Sequence, residues 1–371
     1  MKTTTRALAA IAAAALLATG CGSAPEVAEE PEETSTATEP AGEATTDEAT
    51  EATDADYLAC QVTDTGGVDD RSFNQTAYKG LQDAESQLGI EIQVLESQSE
   101  ADFEPNINQF VSQGCDLIVT VGFLLGEATE GAAQANPDTD FAIVDFAYET
   151  EYDNLLGLTF ETDQAAFLAG YVAAATTETG TVGTYGGINI PPVTIFMDGF
   201  LAGVRYHNQE KGTEVEVLGW DGTDGLFTGD FSSQDKGRQT TDQLLQAGAD
   251  IIMPVAGPVG LGSAAAIEEA GRGKLIWVDT DGFESASQFS ELMLTSVMKN
   301  MDVAVFTAIE RGVNGEFEGG VYSGTLENDG VGLAPFHDFE DEVPQETKDE
   351  LEKLREGIIS GEISVKPADY S

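Results

Sequence analysis

Residues 57–88 read YLACQVTDTGGVDDRSFNQTAYKGLQDAESQL: a short apolar run, a glycine pair among carboxylates, then Phe73, Ala77, Leu81, Ala84 and Leu88 recurring every three to four residues. The first run suits a buried strand, and the recurring apolar positions suit one face of a helix. Gly66 and Gly67 permit a tight exit from the strand, and Asp69 or Ser72 can cap the helix. Asp70 and Arg71 read as solvated residues or as participants in closure of a cleft. The unit is strand, loop, helix.

It recurs along the chain. EIQVLES, DLIVTVG, FAIVDF, LLGLTF, TVGTYG, EVEVLGW, DIIMPVAG, KLIWVDT and LMLTSV are further apolar runs, most of them β-branched and separated by amphipathic segments. Such alternation builds parallel sheets covered on both faces. Ten strands would make a very wide single sheet, so two α/β lobes are the economical reading. The break falls near Phe160 to Thr162, where a new helix begins. Glycines and polar residues gather where strands end, at Gly66–Gly67, Gly122, Gly186–Gly187, Gly257 and Asp279–Gly282. Ligands of open parallel sheets bind beyond those carboxyl ends.

The 371 residues are 41% apolar, enough for a substantial core, and carry 67 acidic against 16 basic side chains, a formal charge of -51. That balance excludes a nucleic-acid partner, which needs a basic face. Twelve of the acidic and two of the basic residues fall in residues 1–56, which leaves a formal -41 on the remainder. The folded surface is therefore highly solvated, or adapted to a saline exterior where salt screens self-repulsion.

The N-terminus MKTTTRALAAIAAAALLATGC reads as a signal peptide: a basic start, an apolar run too short to span a bilayer, and small residues before Cys21. Its end resembles a lipobox, with Ala18 where a larger aliphatic residue is usual, so residues 1–21 are expected to leave Cys21 as a lipidated mature N-terminus. Residues 22–56, rich in Glu, Thr, Ala and Pro, cannot form a core and read as an acidic disordered tether. A flexible chain of this length reaches on the order of 30 Å. Cys60 and Cys115 form a disulfide if their strands are neighbours, since an extracytoplasmic compartment permits one; otherwise they are two buried thiols.

Catalytic patterns are sparse. Only His207 and His337 exist, HExxH, GxSxG and GxxxxGK[ST] are missing, and AGPVGLG has the glycine order GxxGxG rather than that of a dinucleotide site. The reading is not an enzyme, with no metal and no cofactor.

DTGGVDDRSFNQTAYKGL, GCDLIVTVGF, FAIVDF, LLGLTFETDQAAFLAGYVAA, VGTYGGINIPPVTIFMDGFLAGV, GADIIMPVAGPVGLG, IWVDTDG and LTSVMKNMDVAV together resemble the basic membrane protein family of lipoproteins, which includes the purine nucleoside receptor A type. The similarity covers residues 57 to about 335. It implies a type I periplasmic-binding-protein fold, two doubly wound parallel-sheet lobes joined by hinge strands. Residues 57–161 plus about 283–320 would form the first lobe, and 162–282 plus about 321–371 the second. It also implies a nucleoside cargo, often purine, and as partners an ABC permease with its ATPase subunits at the extracytoplasmic face of a cell membrane.

Such a ligand needs an apolar slot for the base, an amide or carboxylate for its edge, and polar groups for ribose hydroxyls. Phe73 and Phe196 are candidate aromatic walls, with ordinary core positions as the alternative. Asn74 and Asp145 are candidates for the base edge. Asp279 or Asp281, the backbone at Gly257, and Lys299 are candidates for the ribose. A sugar or other small metabolite would also suit an aromatic slot with Asp and Lys, and a surface receptor not coupled to import would suit the tether.

The acidity carries a test. Adaptation to a saline exterior is expected to raise the unfolding midpoint steadily from low to molar salt; a midpoint that does not rise would leave solvation as the explanation.

Overall fold

The computed structural model describes residues 56–370. The expected signal peptide, Cys21 and nearly all of the expected tether lie outside the described residues. Each of the ten apolar runs forms a strand: β1 (Leu58–Val62), β2 (Glu91–Leu95), β3 (Leu117–Val121), β4 (Asp140–Val144), β5 (Leu155–Phe160), β6 (Thr181–Gly186), β7 (Glu216–Leu218), β8 (Ile251–Val255), β9 (Lys274–Asp279) and β10 (Met293–Lys299). Two further strands, β11 (Gly320–Gly324) and β12 (Val331–Leu333), escape a hydrophobic-run reading because both are short and glycine-containing. The helices are α1 (Phe73–Leu88), α2 (Phe103–Gln113), α3 (Gly126–Ala135), α4 (Thr162–Thr176), α5 (Pro191–Lys211), α6 (Gln234–Gln246), α7 (Gly260–Ala270), α8 (Gly282–Ser285), α9 (Met301–Val313) and α10 (Gln345–Ile359).

The strands form two six-stranded sheets, ordered β11-β5-β4-β3-β1-β2 and β12-β10-β9-β8-β6-β7. Pairing is parallel throughout except between β10 and β12. Alternation along β1 shows how the first sheet is sandwiched. Ala59 joins Ala77 and Leu81 of α1 on one face, while Cys60 and Val62 join Phe103, Ile107 and Phe110 of α2 on the other. The predicted face of α1 is buried at Ala77, Leu81 and Ala84, and the helix stops at Gly89, whose φ of 67° is the left-handed conformation that closes many helices.

The lobe boundaries differ from the sequence reading. β10, expected in the first lobe, belongs to the second sheet, and most of β11, expected in the second, lies at the edge of the first. The chain returns to the first lobe only at α9, which packs on α1. It thus crosses between sheets after β5, after β10 and between β11 and β12. These crossings bond to one another: Glu161 N–H to Gly324 O at 2.8 Å, and Asn300 N–H to Gly330 O at 2.9 Å. Gly324 and Gly330 allow the approach, since a Cβ on Gly330 would lie 2.3 Å from Gly324 Cα.

Cys60, in β1, and Cys115, just before the adjacent β3, are joined by a disulfide with Cα atoms 6.1 Å apart. The bridge closes a loop of 55 residues in sequence separation. A cross-link of that span restricts the unfolded chain by about 4 kcal/mol on the chain-entropy model. Reduction should therefore lower the free energy of unfolding by about 2–4 kcal/mol in denaturant titration; an unchanged midpoint in reductant would show that the bridge contributes nothing.

Candidate functional site

The carboxyl ends of both sheets face each other across a cleft lined by residues of both lobes, the place where ligands of open parallel sheets bind. The first lobe contributes Asp64 beyond β1, Gly122 and Phe123 beyond β3, and Asp145 beyond β4. The second contributes Ala256 and Gly257 beyond β8, Asp279 ending β9, Lys299 ending β10, and the first turns of α5.

Of the eight sequence candidates, Phe73, Asn74, Asp145, Phe196, Gly257, Asp279 and Lys299 all line this cleft. Asp281 does not. Its Oδ1 accepts from Phe283 N–H at 3.0 Å, capping α8, and its Oδ2 pairs with His337 Nε2 at 2.6 Å. The choice between Asp279 and Asp281 is therefore made by the turn: Asp279 has a φ of 74°, which carries its carboxylate toward the cleft, and two residues later the chain has entered a helix.

Lys299 is 2% exposed and lies 2.5 Å from Asp145 Oδ2, an ion pair that spans the two lobes. Its ammonium sits 4.9 Å from the ring centre of Phe73, 5.3 Å from Phe160 and 5.8 Å from Phe196. These aromatic faces stabilise a cation removed from water. Asp145 also has a positive φ, 69°. Burial pushes its carboxyl upward and Lys299 pulls it back.

Asn74 is 1% exposed and its amide is oriented by two carboxylates. Its Nδ2 donates to Asp64 Oδ1 at 2.7 Å and to Asp70 Oδ2 at 3.1 Å, leaving Oδ1 buried without a partner. A carboxylate can only accept, so the amide oxygen is the atom available to a ligand. Of the two readings of Asp70 from sequence, solvated or active in closure, the first does not hold. Asp70 is buried and accepts from the backbone N–H groups of Ser72, Asn74 and Gln75, so it, rather than Asp69 or Ser72, caps α1. Ser72 instead donates to Asp279 Oδ2 at 2.7 Å across the lobes.

Burial raises the carboxyls of Asp64 and Asp70 despite their N–H donors. It raises Asp279 to about 6, against the pull of Lys299 and the Ser72 hydroxyl. The cleft is rich in oxygen acceptors and has Lys299 as a cation, so it suits a ligand that donates hydrogen bonds.

Sequence reasoning missed Asp64, Phe123 and Phe231. Asp64 had a signal: the strands ending Val62-Thr63-Asp64, Val144-Asp145 and Val278-Asp279 each terminate in an aspartate that reaches the cleft. Phe231 had none. It lies in an irregular segment tied back by Thr228 N–H to Gly186 O and Gly229 N–H to Gly187 O, with its ring against Gly187.

Two α/β lobes, three crossings and a polar cleft at the strand ends define a solute-binding protein. A profile of the Bmp family, described as "ABC transporter substrate-binding protein PnrA-like", matches residues 58–369. The chain belongs to that family, whose members bind substrates for transport rather than transform them. It is 32% identical to the "ABC transporter nucleoside-binding protein BmpA" of Lactococcus lactis, over 84% of this chain and 89% of that one. It is also 32% identical to an "Uncharacterized lipoprotein" of Pyrococcus abyssi, over 82% of each. An ABC transporter solute-binding protein structure from Aeropyrum pernix superposes with a TM-score of 0.76 at 31% identity, covering 83% of this chain and 92% of that one.

The raised Asp279 sets a pH dependence. Its folded-state pKa of about 6 lies above the ordinary aspartate value of 3.8, so the folded state binds the proton more tightly than the unfolded state. The resulting stabilisation is full below about pH 4 and is lost as pH rises through 6. Asp279→Asn should therefore flatten the fall in stability between pH 4 and 6, measured by denaturant titration; an identical slope in both proteins would contradict the assignment.

Proposed function

We propose that this protein captures nucleosides, purine ones by preference, in the interlobe cleft and delivers them to an ABC permease, held at the extracytoplasmic face of the membrane by a lipid on Cys21. The observation that carries the cargo is the pairing of aromatic walls with an edge of acceptors. Phe73, Phe123, Phe196 and Phe231 line the cleft, and aromatic side chains of this kind suit a purine ring. Asn74 Oδ1 and the Asp64 carboxylate, held in place by the bonds between them, suit ring N–H or exocyclic amine donors. Asp279 and Lys299, with the backbone at Gly257, suit the ribose hydroxyls. The nucleoside-binding name of the Lactococcus lactis relative supports the cargo, and the lipoprotein name of the Pyrococcus abyssi relative supports the anchor.

Asp145 enters this reading through Lys299 as much as through the ligand. Its carboxylate is already engaged by the ammonium, so its part is to hold the cation in the slot and to offer its remaining acceptor capacity.

Thermal unfolding against purine and pyrimidine nucleosides, free bases, pentoses and hexoses tests the cargo. A nucleoside at 100 times its dissociation constant should add about 2.7 kcal/mol to stability, with no shift from hexoses; a shift from hexoses alone would replace the cargo with a sugar. Asn74→Ala should weaken nucleoside binding at least tenfold, since a buried hydrogen-bond partner contributes about 1–3 kcal/mol. Asp145→Ala should weaken binding and also destabilise the fold by about 3–5 kcal/mol, because it strands a buried ammonium. Full affinity in both variants would remove these residues from the site.

A further inference from the structure

Arg71 does not line the cleft, yet its backbone occupies the left-handed region with a φ of 59°. That conformation costs a non-glycine residue on the order of 1 kcal/mol, and glycine would occupy it freely. The side chain supplies the reason for an arginine. Nη1 lies 2.7 Å from Gln288 Oε1 and 3.5 Å from the carbonyl oxygen of Ser285, both in the second lobe. The next residue, Ser72, makes the other crossing contact of this stretch, to Asp279 Oδ2 and to Val278 O at 3.3 Å.

Both ends of the contact are braced. On the first lobe, Asp70 gathers three N–H groups of the α1 start and fixes the backbone next to Arg71. On the second, the segment that carries Ser285 and Gln288 is secured from behind. Gly282 N–H donates to Ser296 Oγ at 3.0 Å, Asp281 caps α8 and bonds His337, and the Phe283 ring stacks on His337 at 4.0 Å.

We infer that Arg71 is an interlobe latch: a positioning residue that holds the cleft shut and sets how long a captured solute stays, without taking part in recognising it. Phe73 and Asn74, which do face the ligand, follow Arg71 by two and three residues. Closing the latch therefore seats the ligand-facing start of α1 in the same movement. The inference rests on the solute-binding class and is independent of which solute is bound.

The test uses the full chain carrying Cys21→Ser, with spin labels at Glu104→Cys and Glu268→Cys, exposed positions on α2 and α7 in opposite lobes. Electron–electron distance measurements on the ligand-free protein read the closed population, and stopped-flow with guanosine reads association and dissociation separately. Arg71→Ala should lengthen the interlobe distances and speed dissociation about tenfold, as loss of one hydrogen bond to a charged group implies, with association within twofold of wild type. Arg71→Lys should fall between. Arg71→Gly separates the latch from a merely structural role: it relieves the backbone, so its melting temperature should hold or rise while dissociation still accelerates. Wild-type distances and dissociation rates in Arg71→Ala and Arg71→Gly would overturn the latch, as would acceleration that only tracks lost stability. If guanosine fails to bind, the nucleoside reading falls and the ligand-free distances alone decide the latch.

Discussion

The ion pair between Lys299 and Asp145 is the constraint around which the cleft is built. An ammonium 2% exposed is tolerable only with a partner and further favourable contacts, because desolvation of each ion costs several kcal/mol. The carboxylate comes from the end of β4 in the first sheet, the ammonium from the end of β10 in the second, and the aromatic faces from α1, β5 and α5. Satisfying one buried charge thus draws together both lobes and the walls of the ligand slot. Lys299 immediately precedes the second crossing, at Asn300, so the pair also sits where the lobes are hinged.

The acidic excess takes on a definite form at this point. Asp64, Asp70, Asp145 and Asp279 are all buried or nearly so, and burial pushes each of them upward. Hydrogen bonds distribute that cost: Asp70 takes backbone donors from the helix start, Asp64 takes the Asn74 amide and the Gly66 N–H, and Asp279 takes the Ser72 hydroxyl. The same bonds orient the site, since two carboxylates facing one amide leave its oxygen as the free atom. Electrostatic satisfaction and ligand recognition are here one arrangement.

Closure and recognition share a stretch of chain. Asp70 caps α1, Arg71 and Ser72 reach the second lobe, and Phe73 and Asn74 line the cleft. A rigid helix start converts a contact at the lobe surface into placement of the residues behind it. The crossings at Glu161, Asn300 and Gly330 bond to one another and provide the axis about which such a movement is possible.

Much of this was legible in the sequence because it is local. Strand and helix periods depend on neighbours a few residues apart, so ten strands and the cleft positions of Phe73, Asn74, Asp145 and Lys299 follow from the alternation together with the family motifs. What required tertiary structure depends on where distant segments meet. The strands β11 and β12 exist because partners at the sheet edges supply their hydrogen bonds, which no apolar run announces. Asp70 is a cap rather than a solvated charge because the helix start folds back over it. Asp279 rather than Asp281 reaches the cleft because a left-handed turn at the end of β9 points one carboxylate inward and leaves the other to cap α8. The sequence by itself determined the ten strands of the apolar runs and where a ligand-binding end must lie. The assembled fold decided which charges are buried together, because desolvation and pairing are properties of the whole cleft and of no single segment.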